Sequence, residues 1–170
     1  TALEDPLALK DMAQAAGRVR LALERGETIA VYGDYDVDGI TATCLLTDFL
    51  RRKGGAVIPY IPDRLEEGYG LNREAVTALK EQGASLIVTV DCGITALEET
   101  AWARSLGIDV VITDHHECKS GLPAAQPVVD PRRSDCPSAC KGLAGVGVAL
   151  KLAMAVAGPD RAGLVFREYA

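Results

Sequence analysis

Apolar residues fall into two rhythms that alternate along the chain. Leu9, Met12, Ala13, Ala16, Val19 and Leu23 recur at helical spacing, which predicts a helix over residues 6–25 that Gly26 ends. TIAVY (28–32) is a short apolar run of the kind buried on both faces of a parallel sheet. The pattern then repeats: a helix over 40–52, a strand over 56–61, a helix over 72–82 capped by Asn72, and a strand over 85–90. A helix over 95–106 and a strand over 108–113 follow, and Pro59 marks the second strand as an edge or an irregular one. From 117 to 142 the pattern loosens into Pro, Gly, Ser and Cys, with one apolar piece at 127–129, before helices over 143–157 and beyond Pro159. Strands that alternate with helices of these lengths pair in parallel, with helices on both faces. The predicted class is α/β: one doubly wound parallel sheet, with no internal repeat and no linker dividing it.

Composition agrees. The 170 residues are 48% hydrophobic and 25% charged, a balance suited to a globular domain, and only 5% are aromatic, so the core is aliphatic. No apolar run is long enough for a bilayer span, and the first ten residues carry no signal-peptide pattern. The first residue is Thr1, so a fragment or a processed product is expected. Five scattered cysteines argue for a reducing compartment, the cytoplasm, rather than a disulfide framework. Cys118, Cys136 and Cys140 follow two histidines, but no CxxC pair accompanies them, and reduced thiols are the simpler expectation than zinc. A net charge of −6 excludes a protein that coats nucleic acid by bulk charge, but not an enzyme acting on phosphates.

Chemistry-bearing residues collect where strands end. The first strand runs into Gly33-Asp34-Tyr35-Asp36-Val37-Asp38-Gly39, the third into Asp91-Cys92-Gly93, and the fourth into Asp114-His115-His116-Glu117. In a parallel sheet those ends share the edge where open α/β folds bind ligands. So many carboxylates repel one another unless a cation joins them. Asp oxygens with imidazole suit Mg²⁺ or Mn²⁺, and imidazole tilts the choice towards Mn²⁺. Asp36 and Asp38 alternate with Tyr35 and Val37, which predicts side chains pointing the same way. Asp34 alone reads equally well as a turn residue. Gly145 and Gly147 open a helix whose amides are candidate phosphate donors, with Lys141, Arg132 and Arg133 as the basic cluster nearby. Close helix packing explains the glycines equally well.

These segments resemble the DHH phosphoesterase superfamily, named for the triplet found here at Asp114-His115-His116. VYGDYDVDGITAT, YIPDRLEEGYGLN, VTVDCGI, VITDHHE and VVDPRR with CKGLAGVGVALKL are similar, in this order, to its branch of single-strand-specific 5′→3′ DNA exonucleases. The resemblance covers residues 28–157. It implies a two-metal hydrolase using Mn²⁺ or Mg²⁺ in DNA repair and recombination. It further implies that Asp36, Asp38, Asp91 and His115 are metal ligands, and that Asp34, Asp114 and His116 are catalytic positions. Arg64, Gly68 and Asn72 match the branch's loop after the second strand. Single-stranded DNA is the implied partner, with a helicase and a single-strand-binding protein as candidate further partners. In this branch a further acidic ligand and a second domain lie beyond the last helix, so residues 1–170 are expected to be one catalytic domain that stops short of both. Three other readings stay open: a relative acting on oligoribonucleotides, cyclic dinucleotides or pyrophosphate; a phosphatase that uses Asp36 as nucleophile, from the DVDGIT segment; and a non-catalytic docking domain.

Overall fold

The computed structural model describes residues 4–119, 121–123 and 127–170. Its apolar runs form strands β1 (Thr28–Tyr32), β2 (Ala56–Tyr60), β3 (Ala84–Thr89), β4 (Asp109–Thr113) and β5 (Val128–Val129). All neighbours are parallel, in the order β2-β1-β3-β4-β5. Pro59 lies in an edge strand, where its missing N–H disturbs no central ladder. The chain moves outward from β1 to β2, then returns past β1 to β3. The sheet therefore has its topological switch between β1 and β3, where the loops diverge and leave a crevice.

Alternate residues of each strand feed two cores. Ile29, Val31, Leu86, Val88 and Val111 pack with α1 (Met12–Arg25), α2 (Val37–Arg52), α5 (Gly145–Ala157) and α6 (Ala162–Tyr169). Ala30, Tyr32, Ile87, Val110 and Ile112 pack with α3 (Arg73–Glu81) and α4 (Leu97–Ser105). Helix α5 is buried on nearly every side, including Val148, Leu152, Ala153 and Met154, which explains its lack of a polar face. Among the described residues no helix is long and apolar enough to cross a membrane.

Several boundaries differ from the sequence pattern. The first helix begins at Met12: Asp5 caps a separate 3-10 turn, Pro6–Ala8, and Asp11 then adopts a left-handed φ of 65° that interrupts the helix. Helix α2 begins at Val37, three residues earlier than expected, because the Asp36 side chain accepts a hydrogen bond from Gly39 N and caps it. The piece at 127–129 supplies a fifth strand, β5. All five cysteines are free.

Candidate metal centre

The sheet ladder continues past the strand ends and fixes where the acidic loops start. Gly33 N donates to Tyr60 O at 2.9 Å, Val90 N to Tyr32 O at 2.9 Å, and Asp114 N to Val129 O at 3.0 Å. After β1, Asp34 is buried, with one oxygen accepting from Tyr35 N at 2.7 Å. Asp36 caps α2, and Asp38 lies in that helix's first turn. The strand-like alternation expected for Asp36 and Asp38 is therefore absent. Asp38 reaches the site from a helix, with its two oxygens accepting from Gly145 N and Val146 N at 2.7 Å each. After β3, Asp91 takes a left-handed φ of 59°, which turns its side chain inward to 1% exposure.

Two glycines make this convergence possible. A Cβ on Gly39 would stand 2.5 Å from the Asp34 carbonyl oxygen, and a Cβ on Gly145 would stand 2.4 Å from Asp91 Oδ1. The N-terminus of α5 thus presses directly against the Asp91 carboxylate.

After β4, Asp114 acts as an internal brace. One oxygen accepts from Ile94 N at 3.0 Å, the other from His115 N at 2.7 Å, and the latter lies 2.6 Å from His116 Nδ1. His115 Nε2 stands 2.8 Å from Asp91 Oδ1 and 3.5 Å from Asp38 Oδ2. That approach has ion-pair length but poor hydrogen-bond alignment, so neither buried Asp91 oxygen accepts an N–H or hydroxyl hydrogen bond among the described residues, and its hydrogen-bonding neighbour is the Asp36 carboxyl. One donor atom from each of Asp34, Asp36 and Asp91 falls within a 4.8 Å group, and so does one from each of Asp91, Asp114, His115 and His116. Asp91 belongs to both groups.

The electrostatics follow from this crowding. Burial first, then the neighbouring Asp38 and Asp36 carboxylates, push the Asp91 carboxyl up to about 8. Burial, and secondarily Asp36, also raise Asp34 above the usual carboxylate range. His116 is raised to about 9 by its hydrogen bond with Asp114, whereas burial and the adjacent His116 lower His115. A neutral imidazole beside orphaned buried carboxylates is a donor set that fits a divalent cation. No cysteine belongs to either group.

Other expected residues separate. Arg132 is exposed and lines a cleft of about 570 Å³ with Asp114, His115, His116, Tyr69 and Lys119. Lys141 instead donates to Cys136 O at 2.7 Å, and buried Arg133 is held by Asp11 and Asp135 at 2.8 Å each. Asp38 takes the amides of Gly145 and Val146, so at Gly145 a carboxylate stands in the place expected for a phosphate, and at Gly147 the missing side chain makes room for packing. A Cβ on Gly147 would meet Leu143 Cδ2 at 2.9 Å. In the loop after β2, Asn72 caps α3 through Ala75 N, and Arg64 stacks over Tyr35 at 5.5 Å.

Two residues escaped the sequence pattern. Tyr69 places its hydroxyl 3.3 Å from His116 Nδ1. Asp130, just beyond β5, is fully buried with one oxygen unpartnered among the described residues, and burial raises it to about 6. The two-residue length of β5 hid Asp130 as another strand-end acid.

Comparison with known proteins agrees with this geometry. Residues 28–168 match the DHH family, N-terminal domain. The chain belongs to that family. Among named relatives, it is 48% identical over 158 residues to the single-stranded-DNA-specific exonuclease RecJ of Bacillus subtilis (strain 168), covering 92% of this chain and 20% of that protein. A solved exonuclease RecJ bound to manganese superposes with a TM-score of 0.80 at 40% identity, over 87% of this chain and 37% of that one. RecJ from Thermus thermophilus in complex with Mn²⁺ gives 0.74 at 35% identity, over 91% of this chain and 22% of that one. The chain thus spans well under half the length of each of these relatives.

Proposed function

We propose that this chain is the catalytic domain of a metal-dependent single-stranded-DNA exonuclease that digests 5′→3′ and serves repair and recombination. The observation that carries the reading is Asp91: a buried carboxylate that accepts no N–H or hydroxyl hydrogen bond among the described residues, set against other acids and an imidazole at the sheet's switch point. The RecJ relatives, two of them solved with manganese and one with Mg²⁺, support single-stranded DNA as substrate and Mn²⁺ or Mg²⁺ as metals.

Asp36, Asp91 and His115 would hold the ions together with Asp34, which shares their donor groups, while Asp38, in neither group, would join them from 3.5 Å beside His115 Nε2. Bound divalent ions supply positive charge to the phosphodiester and acidity to an attacking water. The protein does the rest. Asp114 orients His115 and His116 through the backbone and ring contacts described above. His116, whose hydrogen bond with Asp114 raises its proton affinity, is the group placed to donate a proton to the leaving oxygen. Arg132, and Lys119 beside it, face the cleft as phosphate contacts. A further acidic ligand and a second domain contributed by flanking sequence belong to this reading. So do a cytoplasmic setting and delivery of substrate by a helicase or a single-strand-binding protein.

The test is digestion of end-labelled single-stranded DNA by the full-length protein with Mn²⁺. Release of mononucleotides from the 5′ end, lost in His115→Ala, is the expected result. Preferential turnover of a dinucleotide over long single strands would replace the DNA assignment.

A further inference from the structure

The loop between β2 and α3 enters the cleft at one side chain, Tyr69. Its flanking residues, Gly68 and Gly70, have φ values of 74° and 85°, a double left-handed turn that pushes the phenol out of the loop towards the site. The hydroxyl lies 3.3 Å from His116 Nδ1 and 3.4 Å from the carbonyl oxygen of Asp91. Its ring meets the His116 ring edge-on, at 6.0 Å and 87°. One proton arrangement is compatible with these contacts, with the His116 Nδ1–H given mainly to Asp114 and the phenol oxygen as its weaker second acceptor. The Tyr69 O–H donates to the Asp91 carbonyl, while the Nδ1–H of His116 points to Asp114 with the phenol oxygen alongside.

The loop is itself held from below. Tyr60 Oη donates to both Glu67 carboxylate oxygens, at 2.6 and 2.7 Å, and Asn72 Nδ2 approaches Glu67 Oε2 at 3.4 Å and Tyr32 Oη at 3.2 Å. Tyr32, fully buried, donates to Gly70 O at 3.0 Å. These bonds fasten both sides of Tyr69 to the end of the sheet.

We propose that Tyr69 is a positioning residue, which holds the His116 ring and the turned Asp91 backbone in fixed relation, with Glu67 as the anchor of its loop. Asp114 and the neighbouring His115 ring at 4.4 Å hold one side of the His116 imidazole. The edge-on phenol with its hydroxyl closes the other side and limits rotation of the ring. Tyr69 also ties the third and fourth strand ends together without contributing a metal ligand. The catalytic part of this role rests on the proposed nuclease function, whereas the ring-fixing part does not.

The test has two readouts on Tyr69→Phe and on Glu67→Ala, which leaves Tyr69 in place. In metal-free protein, the His116 ring carbon–proton NMR signals are expected to be sharp in wild type and broadened by exchange in both variants. In the full-length enzyme, Tyr69→Phe is expected to lower kcat on single-stranded DNA about tenfold while KM is nearly unchanged. Sharp His116 signals in Tyr69→Phe overturn the proposal, whether or not kcat falls. Absence of nuclease activity in the wild-type enzyme overturns the functional reading alone, because the ring signals still decide the role of Tyr69.

Discussion

Two regions of this protein bury charge, and they resolve it in opposite ways. Around Arg133, a buried guanidinium meets Asp11 at 2.8 Å, Asp135 at 2.8 Å and the Val128 carbonyl at 2.7 Å. Its charge is answered within the fold, and the cluster ties the segment after β5 to the start of α1. At the ends of β1, β3 and β4 the acids converge with no arginine or lysine bonded to them among the described residues. The Asp91 carboxylate accepts no N–H or hydroxyl hydrogen bond among those residues and faces the Asp36 carboxyl instead. A buried charge that the fold satisfies does structural work. One left unsatisfied costs stability and is kept for a ligand that completes it.

Substitutions should therefore move stability and function in opposite directions at the two places. Asp91→Asn removes the repulsion but also a ligand. Nuclease activity of the full-length protein should fall on the order of a thousandfold, while the melting temperature of the metal-free domain rises. A fall in both would erase the contrast. Arg133→Met should cost about 3 kcal/mol in denaturant unfolding, because it strands a partly buried Asp11. Mn²⁺ affinity, read by titration calorimetry, should stay as it is. Gly145→Ala drives a methyl into Asp91. It should cost about 1–3 kcal/mol of stability and, unlike the Arg133 change, weaken Mn²⁺ binding in the same calorimetric assay.

The smallest expected effect is on pH dependence. At low pH the Asp91 carboxyl is protonated in folded and unfolded chains alike and takes nothing from stability. Above about pH 4 the unfolded chain ionises first. Because the folded group is held up to about 8, its share of stability should fall as pH rises across that window, with His116 extending the fall to about 9. Thermal melts in a chelator should show this slope. Asp91→Asn should make it shallower, the remainder coming from His116, Asp130 and Asp34, and Arg133→Met should leave it.

The sequence and the structure agree best where one element decides the outcome. The apolar runs 28–32, 85–90 and 108–113 are long enough to be read as buried strands, and the acids after them had to share an edge once the sheet was parallel. Pro59 at the sheet edge was legible for the same reason. What stayed hidden depends on contacts between elements. Asp38 reads as the partner of Asp36 in an extended loop, yet it sits on a helix and bonds to the start of α5, 107 residues away. Gly145 reads equally well as a phosphate loop, and only the nearness of Asp91 shows why a glycine is there. Tyr69 follows a pair of glutamates in an exposed loop, and its role emerges only when Gly68 and Gly70 turn it towards His116. Lys141 and Arg133 look like free cations in sequence because their acceptors, Cys136 O and Asp11, are set by tertiary folding.

The central claim is that the strand ends form a cation site with Asp91 at its centre. Mn²⁺ titration followed by EPR, with wild-type protein beside Asp91→Asn, tests it most directly. Saturable loss of the free Mn²⁺ signal is expected in the wild type and none in the variant. Equal binding by the two proteins, or no binding by the wild type, would contradict it.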